Sequence, residues 1–134
     1  MADSNHPQSI GQLLLEAARQ DMAACTLLST GAGIGDAVVG FHAQQAVEKS
    51  LKAVLSAHGV EFRRTHDLLT LLDLLQDNGL PAPPAADWVD ELNPYAVEAR
   101  YGMIDSAGKR KISATLAGKL GKFFGISPAV FVPA

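Results

Sequence analysis

The most informative segment of the chain is Phe41–Leu55, which reads FHAQQAVEKSLKAVL and contains neither Gly nor Pro. This composition predicts one uninterrupted helix with two chemically different sides, at about 100° per residue. The apolar side holds Ala43, Ala46, Val47, Leu51, Ala53 and Val54. The polar side holds His42, Gln45, Glu48, Lys49 and Lys52. Because imidazole and amide groups stand among the charges, we interpret the polar side as a surface able to recognise a polar ligand.

The composition of the whole chain favours an all-α fold. The 134 residues are enough for one domain with a hydrophobic core. We place the helical part of this domain at about residues 9–124 and a C-terminal tail at 125–134. Ala and Leu, both good helix formers, supply much of the hydrophobic content, and aromatic residues are only 6%. The net charge of −3 argues against a surface that coats nucleic acid, but it permits a local basic pocket.

The remaining composition predicts neither metal nor cofactor. A single cysteine, Cys25, excludes an intramolecular disulfide and a Cys-based zinc site, and its Ala/Leu-rich surroundings predict a buried, unreactive thiol. The four histidines show no spacing typical of metal ligands. The first eight residues are polar without Lys or Arg, and no apolar run approaches the ~20 residues of a membrane span. We therefore expect a soluble cytoplasmic protein that does not contact membranes.

Periodicity divides the chain into helices. The first is predicted from Ser9 to Leu28, and Ser29–Gly35 is a glycine-rich interhelical loop. The second runs from Asp36 to Ala57 and is closed by His58-Gly59. The first helix's expected buried stripe is Ile10, Leu13, Leu14, Ala17, Asp21, Ala24 and Leu28.

The second half of the chain predicts three more helices. Thr65 is the expected N-cap of the third, whose Leu68–Leu75 segment is apolar nearly all round and is predicted to be central. The fourth is expected to start with Asp87 as cap and to kink or break at Pro94. Its stripe is Trp88, Leu92, Tyr95 and Ala99. A last helix is predicted from Asp105 to Phe124.

Polar side chains on these helices form the candidate site. They are His42, Gln45, Lys49, His66, Arg100 and Tyr101. Each has an ordinary alternative: Lys49 as a solvated surface residue, His66 as part of a helix cap, and Arg100 as a partner of Glu98 or Glu48. A Ser-His-Asp hydrolase is excluded because no Ser lies in a strand-turn-helix setting.

Three motifs, taken together, resemble the HEPN domain family. They are Phe41–Lys49 followed by Leu51–Ala53, then Thr65–Leu68 followed by Leu71-Leu72, then Tyr95 and Ala99–Tyr101. The resemblance covers roughly Ser9 to Phe124. It implies an antiparallel up-and-down four-helix bundle with an additional short helix, usually homodimeric. It also implies nucleotide binding and a small nucleotidyltransferase, encoded by an adjacent gene, as partner in a toxin–antitoxin-like pair.

One departure from the family bears on catalysis. Ribonuclease members carry a His four to six residues after the Arg of the fourth helix, whereas the residues after Arg100 include no His. This favours a non-enzymatic, nucleotide- or phosphate-binding role, in which Lys49 and Arg100 neutralise phosphate, His42 and Gln45 contact ribose or base, and Tyr101 stacks. Two alternatives stay open. One is a metal-independent RNA-cleaving toxin that uses a rearranged His and Arg, and the other is a purely structural dimerisation module.

Overall fold

The chain is all-α. The computed structural model describes residues 9–30, 33, 35–81, 89 and 91–96, and every regular element within them is helical. These elements are α1 (Ile10–Ser29), α2 (Asp36–Ala57) and α3 (Leu68–Asp77). A 3₁₀ turn at 91–92 leads into α4, described over 93–96. The predicted fifth helix and the tail lie outside the described residues. None of the described helices is long and apolar enough to cross a bilayer.

Helix α1 begins one residue later than expected because Ser9 is its cap. The Ser9 hydroxyl accepts from the Gln12 amide at 3.1 Å, and the Gln12 side chain accepts from the Ser9 amide at 2.9 Å. This reciprocal pair satisfies two backbone donors at the helix start. The expected buried stripe is wrong at this end, since Ile10 and Leu13 are 69% and 53% exposed.

The buried face of α1 follows small residues instead. Ala18, Asp21 and Cys25 are its buried positions. Gly11 lies on the same side, and a Cβ there would come within 3.3 Å of the Ala53 carbonyl oxygen. The two helices are antiparallel. The start of α1, at Gly11, lies near the end of α2, and Asp21, later in α1, contacts Lys49, earlier in α2. Close backbone approach at Gly11 leaves Ile10 and Leu13 exposed at this end, whereas Leu28, at the other end of α1, packs against the core.

Helix α2 ends as its sequence predicts. Gly59 has a φ of +70°, which a residue with a side chain rarely adopts. The Val60 amide then donates to the Leu55 carbonyl at 2.9 Å, and the Gly59 amide to the Ser56 carbonyl at 3.1 Å. These two bonds satisfy carbonyls of the last turn and direct the chain back along α2.

The expected N-cap of α3 was wrong by two residues. Asp67 is the cap, since its carboxylate accepts from the Leu69 amide at 3.0 Å, whereas Thr65 accepts from the Asp67 amide at 3.1 Å. The carboxylate suits the positive end of a helix dipole. Thr65 shapes the turn before the cap rather than the helix itself.

Helix α3 is amphipathic rather than central. Leu68, Leu71 and Leu75 are buried, whereas Leu69 is 44% exposed. The buried leucines recur at three and four residues, so one face meets the core. The near-continuous run of leucines concealed this periodicity.

The start of α4 explains the break expected at Pro94. Pro94 stands in the first turn of α4, where its missing N–H costs nothing. Asn93 joins this turn to α3, accepting from the Leu68 amide and donating to the Asp67 carboxylate, both at 3.1 Å. Tyr95 packs on Gly40 of α2, where an added Cβ would lie 2.2 Å from its ring. The expected start at Asp87 lies outside the described residues.

Candidate functional site

The polar side of α2 is bracketed by neighbouring helices. Gln44 and Glu48, at 0% and 3% exposure, are as buried as the apolar core. The apolar side is correct for Ala43, Ala46, Val47, Leu51 and Ala53, all of which are buried, but wrong for Val54, which is 41% exposed. Because α1 covers one edge of α2 and α3 the other, both edges of the polar side carry packed, hydrogen-bonded groups.

At the α1 edge, Asp21 holds two cationic or basic groups of α2. One carboxylate oxygen lies 3.0 Å from His42 Nδ1, and the other accepts from Lys49 Nζ at 2.5 Å. The Asp21 side chain is 12% exposed, and those of His42 and Lys49 are 28% and 27% exposed. The two α2 residues stand two turns apart, about 10 Å along the axis, with the carboxylate between them. We call this group the Asp21 cluster.

At the α3 edge, Glu48 has a more enclosed set of partners. His66 Nδ1 lies 3.0 Å from its Oε1, which also accepts from the Gln44 amide at 3.1 Å. Lys52 Nζ donates to Oε2 at 3.1 Å. The Glu48 side chain is only 4% exposed, whereas the His66 side chain is 46% exposed. We call these four residues the Glu48 cluster.

Further contacts hold the Glu48 cluster in place. The Gln44 amide also donates to the His66 carbonyl at 3.2 Å, and Gln45 donates to the Gln44 side-chain oxygen at 2.7 Å. The Lys52 ammonium lies 5.8 Å from the ring centre of Phe62, a cation–π contact. A buried carboxylate with this many partners is held in one position.

Both clusters orient an imidazole in the same way. An ionised carboxylate only accepts hydrogen bonds, so the nitrogen facing it, Nδ1, must carry a proton in His42 and in His66. In the neutral ring, Nε2 is then the acceptor, and in the protonated ring it is a second donor. Each carboxylate therefore fixes the orientation of one nitrogen of a part-exposed imidazole.

The cysteine has the structural role that the sequence predicted. Cys25 is buried, one turn after Asp21 on α1. Burial, and secondarily the charge of Asp21, raise the pKa of its thiol to about 12. A thiol with this pKa is not nucleophilic at neutral pH.

The structure brings the predicted site residues into two groups. His42 and Lys49 meet on Asp21, while Gln45 and His66 meet through Gln44 and Glu48. Lys49 is therefore ion-paired rather than solvated, and His66 contacts a carboxylate rather than capping α3. Arg100 and Tyr101 lie outside the described residues.

Sequence reasoning missed the residues that organise both groups. Asp21 stood in the predicted buried stripe of α1, where a lone carboxylate requires a partner. Gln44 was given no angle on α2, and Glu48 was placed on the polar side as part of a possible ligand surface and as a possible partner of Arg100. The signal for Glu48 was weak because Glu with Lys four residues later is common on exposed helices.

A separate groove of about 830 Å³ lies between the start of α1 and the end of α2, and it contains none of the predicted site residues. Its lining includes Ile10, Val60 and Phe62. Among the described residues there is no group of three His, Cys, Asp or Glu placed to hold a metal ion.

Comparison with known families identifies the fold family of the chain. The family model of the HEPN domain matches residues 12–119, most of the chain. Comparison with curated proteins and with solved structures found no significant match.

Proposed function

The chain belongs to the HEPN domain family, and we propose that it binds a nucleotide or phosphate group on the polar side of α2. The proposed ligand-contacting residues are His42, Gln45, Lys49, His66, Arg100 and Tyr101. The protein would act as the binding component of a two-gene, toxin–antitoxin-like system in the cytoplasm. No cofactor or metal is required for this role.

The observation that carries the proposal is the pair of carboxylate-oriented imidazoles. In both His42 and His66 a nearly buried carboxylate lies 3.0 Å from Nδ1, and the side chain remains part-exposed at 28% and 46%. Such pre-oriented groups recognise a ligand with less loss of side-chain entropy than freely rotating ones. Gln45, which has a mixed donor and acceptor group, lies on the helix between the two edges.

Charge supports a phosphate-containing ligand. Lys49 is part-exposed at 27%, and its ammonium has donors beyond the one directed at Asp21. In the proposal, Arg100 adds a bidentate phosphate contact and Tyr101 stacks on the base. Because Asp21 and Glu48 already balance Lys49 and Lys52, Arg100 is the cation that would attract the phosphate in this proposal.

Calorimetric titration of the native chain with nucleoside mono- and triphosphates tests the proposal. We expect Lys49→Ala to weaken binding by about 1.5–3 kcal/mol, the usual contribution of a charge-assisted hydrogen bond. Arg19→Ala is the matched control, because Arg19 is an exposed cation that pairs with Glu16 on α1, away from the site. Absence of nucleotide binding by the native chain, or equal loss in the control, would contradict the proposal.

The same two imidazoles favour a second candidate, metal-independent RNA cleavage. An imidazole held by a carboxylate suits proton transfer, so each ring is a candidate general acid or base. Cleavage of a short RNA in the presence of a chelator, lost in both His42→Ala and His66→Ala, would support it. Growth arrest upon expression of the chain alone is the corresponding cellular result.

Two partners belong to the proposal. A second copy would cover exposed aliphatic side chains of α1, since Ile10 and Leu27 are 69% and 71% exposed. Light scattering at tens of micromolar is expected to give the mass of a dimer.

A small nucleotidyltransferase from an adjacent gene would be the other component. Co-purification with the product of the neighbouring gene checks the second partner.

A further inference from the structure

We propose that Arg63 and Arg64, on the connection between α2 and α3, form a second phosphate-binding element beside His66, so that the ligand carries several phosphates in a chain. This inference rests on the proposed function and extends it by naming the ligand class. That class is a polyphosphate-bearing nucleotide or a single-stranded oligonucleotide. The two share the chemistry of successive phosphates.

The first observation is the pairing of basic residues. Five Lys and Arg side chains lie in the described part of the chain: Arg19, Lys49, Lys52, Arg63 and Arg64. The first three each pair with a carboxylate, at 3.7, 2.5 and 3.1 Å. Arg63 and Arg64 are exposed and make no ion pair with the described residues. Their guanidinium groups are therefore available to an external anion.

The second observation is that the connection is anchored at both ends. After α2, the Val60 amide bonds the Leu55 carbonyl, and Val60 and Phe62 pack against the core. Before α3, the Gln44 amide bonds the His66 carbonyl at 3.2 Å. The arginines therefore lie on a short segment that is held against α2, which lowers the entropy lost when they bind a ligand.

The third observation is proximity to the proposed site. Arg64 precedes His66 by two residues, so their Cα atoms are at most about 7 Å apart. The His66 imidazole is 46% exposed and is oriented by Glu48. A phosphate near His66 therefore has its neighbour within reach of the arginines. A ligand with a single phosphate would leave them unused.

Salt dependence separates this element from the rest of the site. The native chain and Arg63→Gln/Arg64→Gln are titrated with AMP, ATP and a short single-stranded RNA over a series of salt concentrations. For the RNA we expect the double variant to bind about tenfold more weakly, with the slope of log K against log salt smaller by about 1.4. Its affinity for AMP should be unchanged. Arg19→Gln is the control, since it removes an exposed arginine elsewhere.

The remaining outcomes distinguish the two proposals. If the double variant has the same salt slope as the native chain, the arginine element is wrong. It is also wrong if the native chain binds ATP and RNA no more tightly than AMP. RNA binding that depends on Arg63 and Arg64, but not on Lys49 or His66, supports the element and overturns the proposed site. Absence of binding to all three probes overturns both. A gain for ATP alone identifies a nucleoside polyphosphate, and a gain for RNA alone identifies an oligonucleotide.

Discussion

The two edges of α2 use the same chemistry at different depths. In both, a carboxylate holds an imidazole through Nδ1 and an ammonium through its other oxygen. Glu48 is 4% exposed and also accepts from a fully buried amide, whereas Asp21 is 12% exposed and has no side-chain amide partner among the described residues. Removing one member of a more enclosed set of charges leaves costlier unpaired groups behind. The Glu48 cluster is therefore the more structural of the two.

The largest expected effect is on the Glu48 cluster. Glu48→Ala leaves the Lys52 charge, which is only 12% exposed, without its carboxylate and leaves the Gln44 amide one acceptor short. Removing one member of a buried ion pair costs about 3–5 kcal/mol, so we expect that loss in urea denaturation. Glu16→Ala, which removes an exposed glutamate, should change stability by less than about 0.5 kcal/mol. If Glu48→Ala lowers the free energy of unfolding as little as the control does, the Glu48 cluster is not the more structural of the two.

A smaller stability effect is expected at the Asp21 cluster. Asp21→Ala leaves Lys49 and His42 without an acceptor, but both side chains reach water. We expect a loss of about 1–3 kcal/mol, measured in the same denaturation series. If Asp21→Ala lowers the free energy of unfolding more than Glu48→Ala does, the Asp21 cluster is the more structural of the two.

The smallest effect concerns Cys25, beside Asp21. Its pKa is raised from 9.0 to about 12 in the folded chain, so the folded state retains a proton that the unfolded state releases. The resulting stabilisation is complete below pH 9 and is lost as the pH rises from 9 towards 12. The stability of the native chain relative to Cys25→Ala should therefore fall by about 1.4 kcal/mol between pH 8 and pH 10. Parallel pH profiles of the two proteins would contradict the burial of this thiol.

The sequence predicted the elements better than their contacts. The bounds of α2 and its closure at His58-Gly59 were correct, because helix periodicity and a glycine end signal act locally. The N-cap of α3 was wrong because Thr65 and Asp67 are both good caps, and the choice depends on Asn93 from a distant segment. Such tertiary contacts leave no local trace.

In the candidate site, too, the positions of residues on a helix were predictable from the sequence and their contacts were not. His42, Gln45 and Lys49 were correctly placed on the polar side of α2, because their spacing fixes their angle. The partners that orient them, Asp21 and Gln44, come from the packing of helices. Periodicity identifies a buried polar residue but not the group that it meets.

The response of the histidine side chains to a nucleotide tests the proposed site most directly. We propose to follow the imidazole nitrogen resonances of His42, His58 and His66 by NMR during titration with AMP. If AMP binds at the proposed site, Nε2 of His42 and of His66 should shift, with Nδ1 still hydrogen-bonded to Asp21 and Glu48. His58, exposed at the end of α2, should not respond. Unchanged Nε2 resonances in both His42 and His66 at saturating AMP, or equal shifts in His58, would contradict the proposed site.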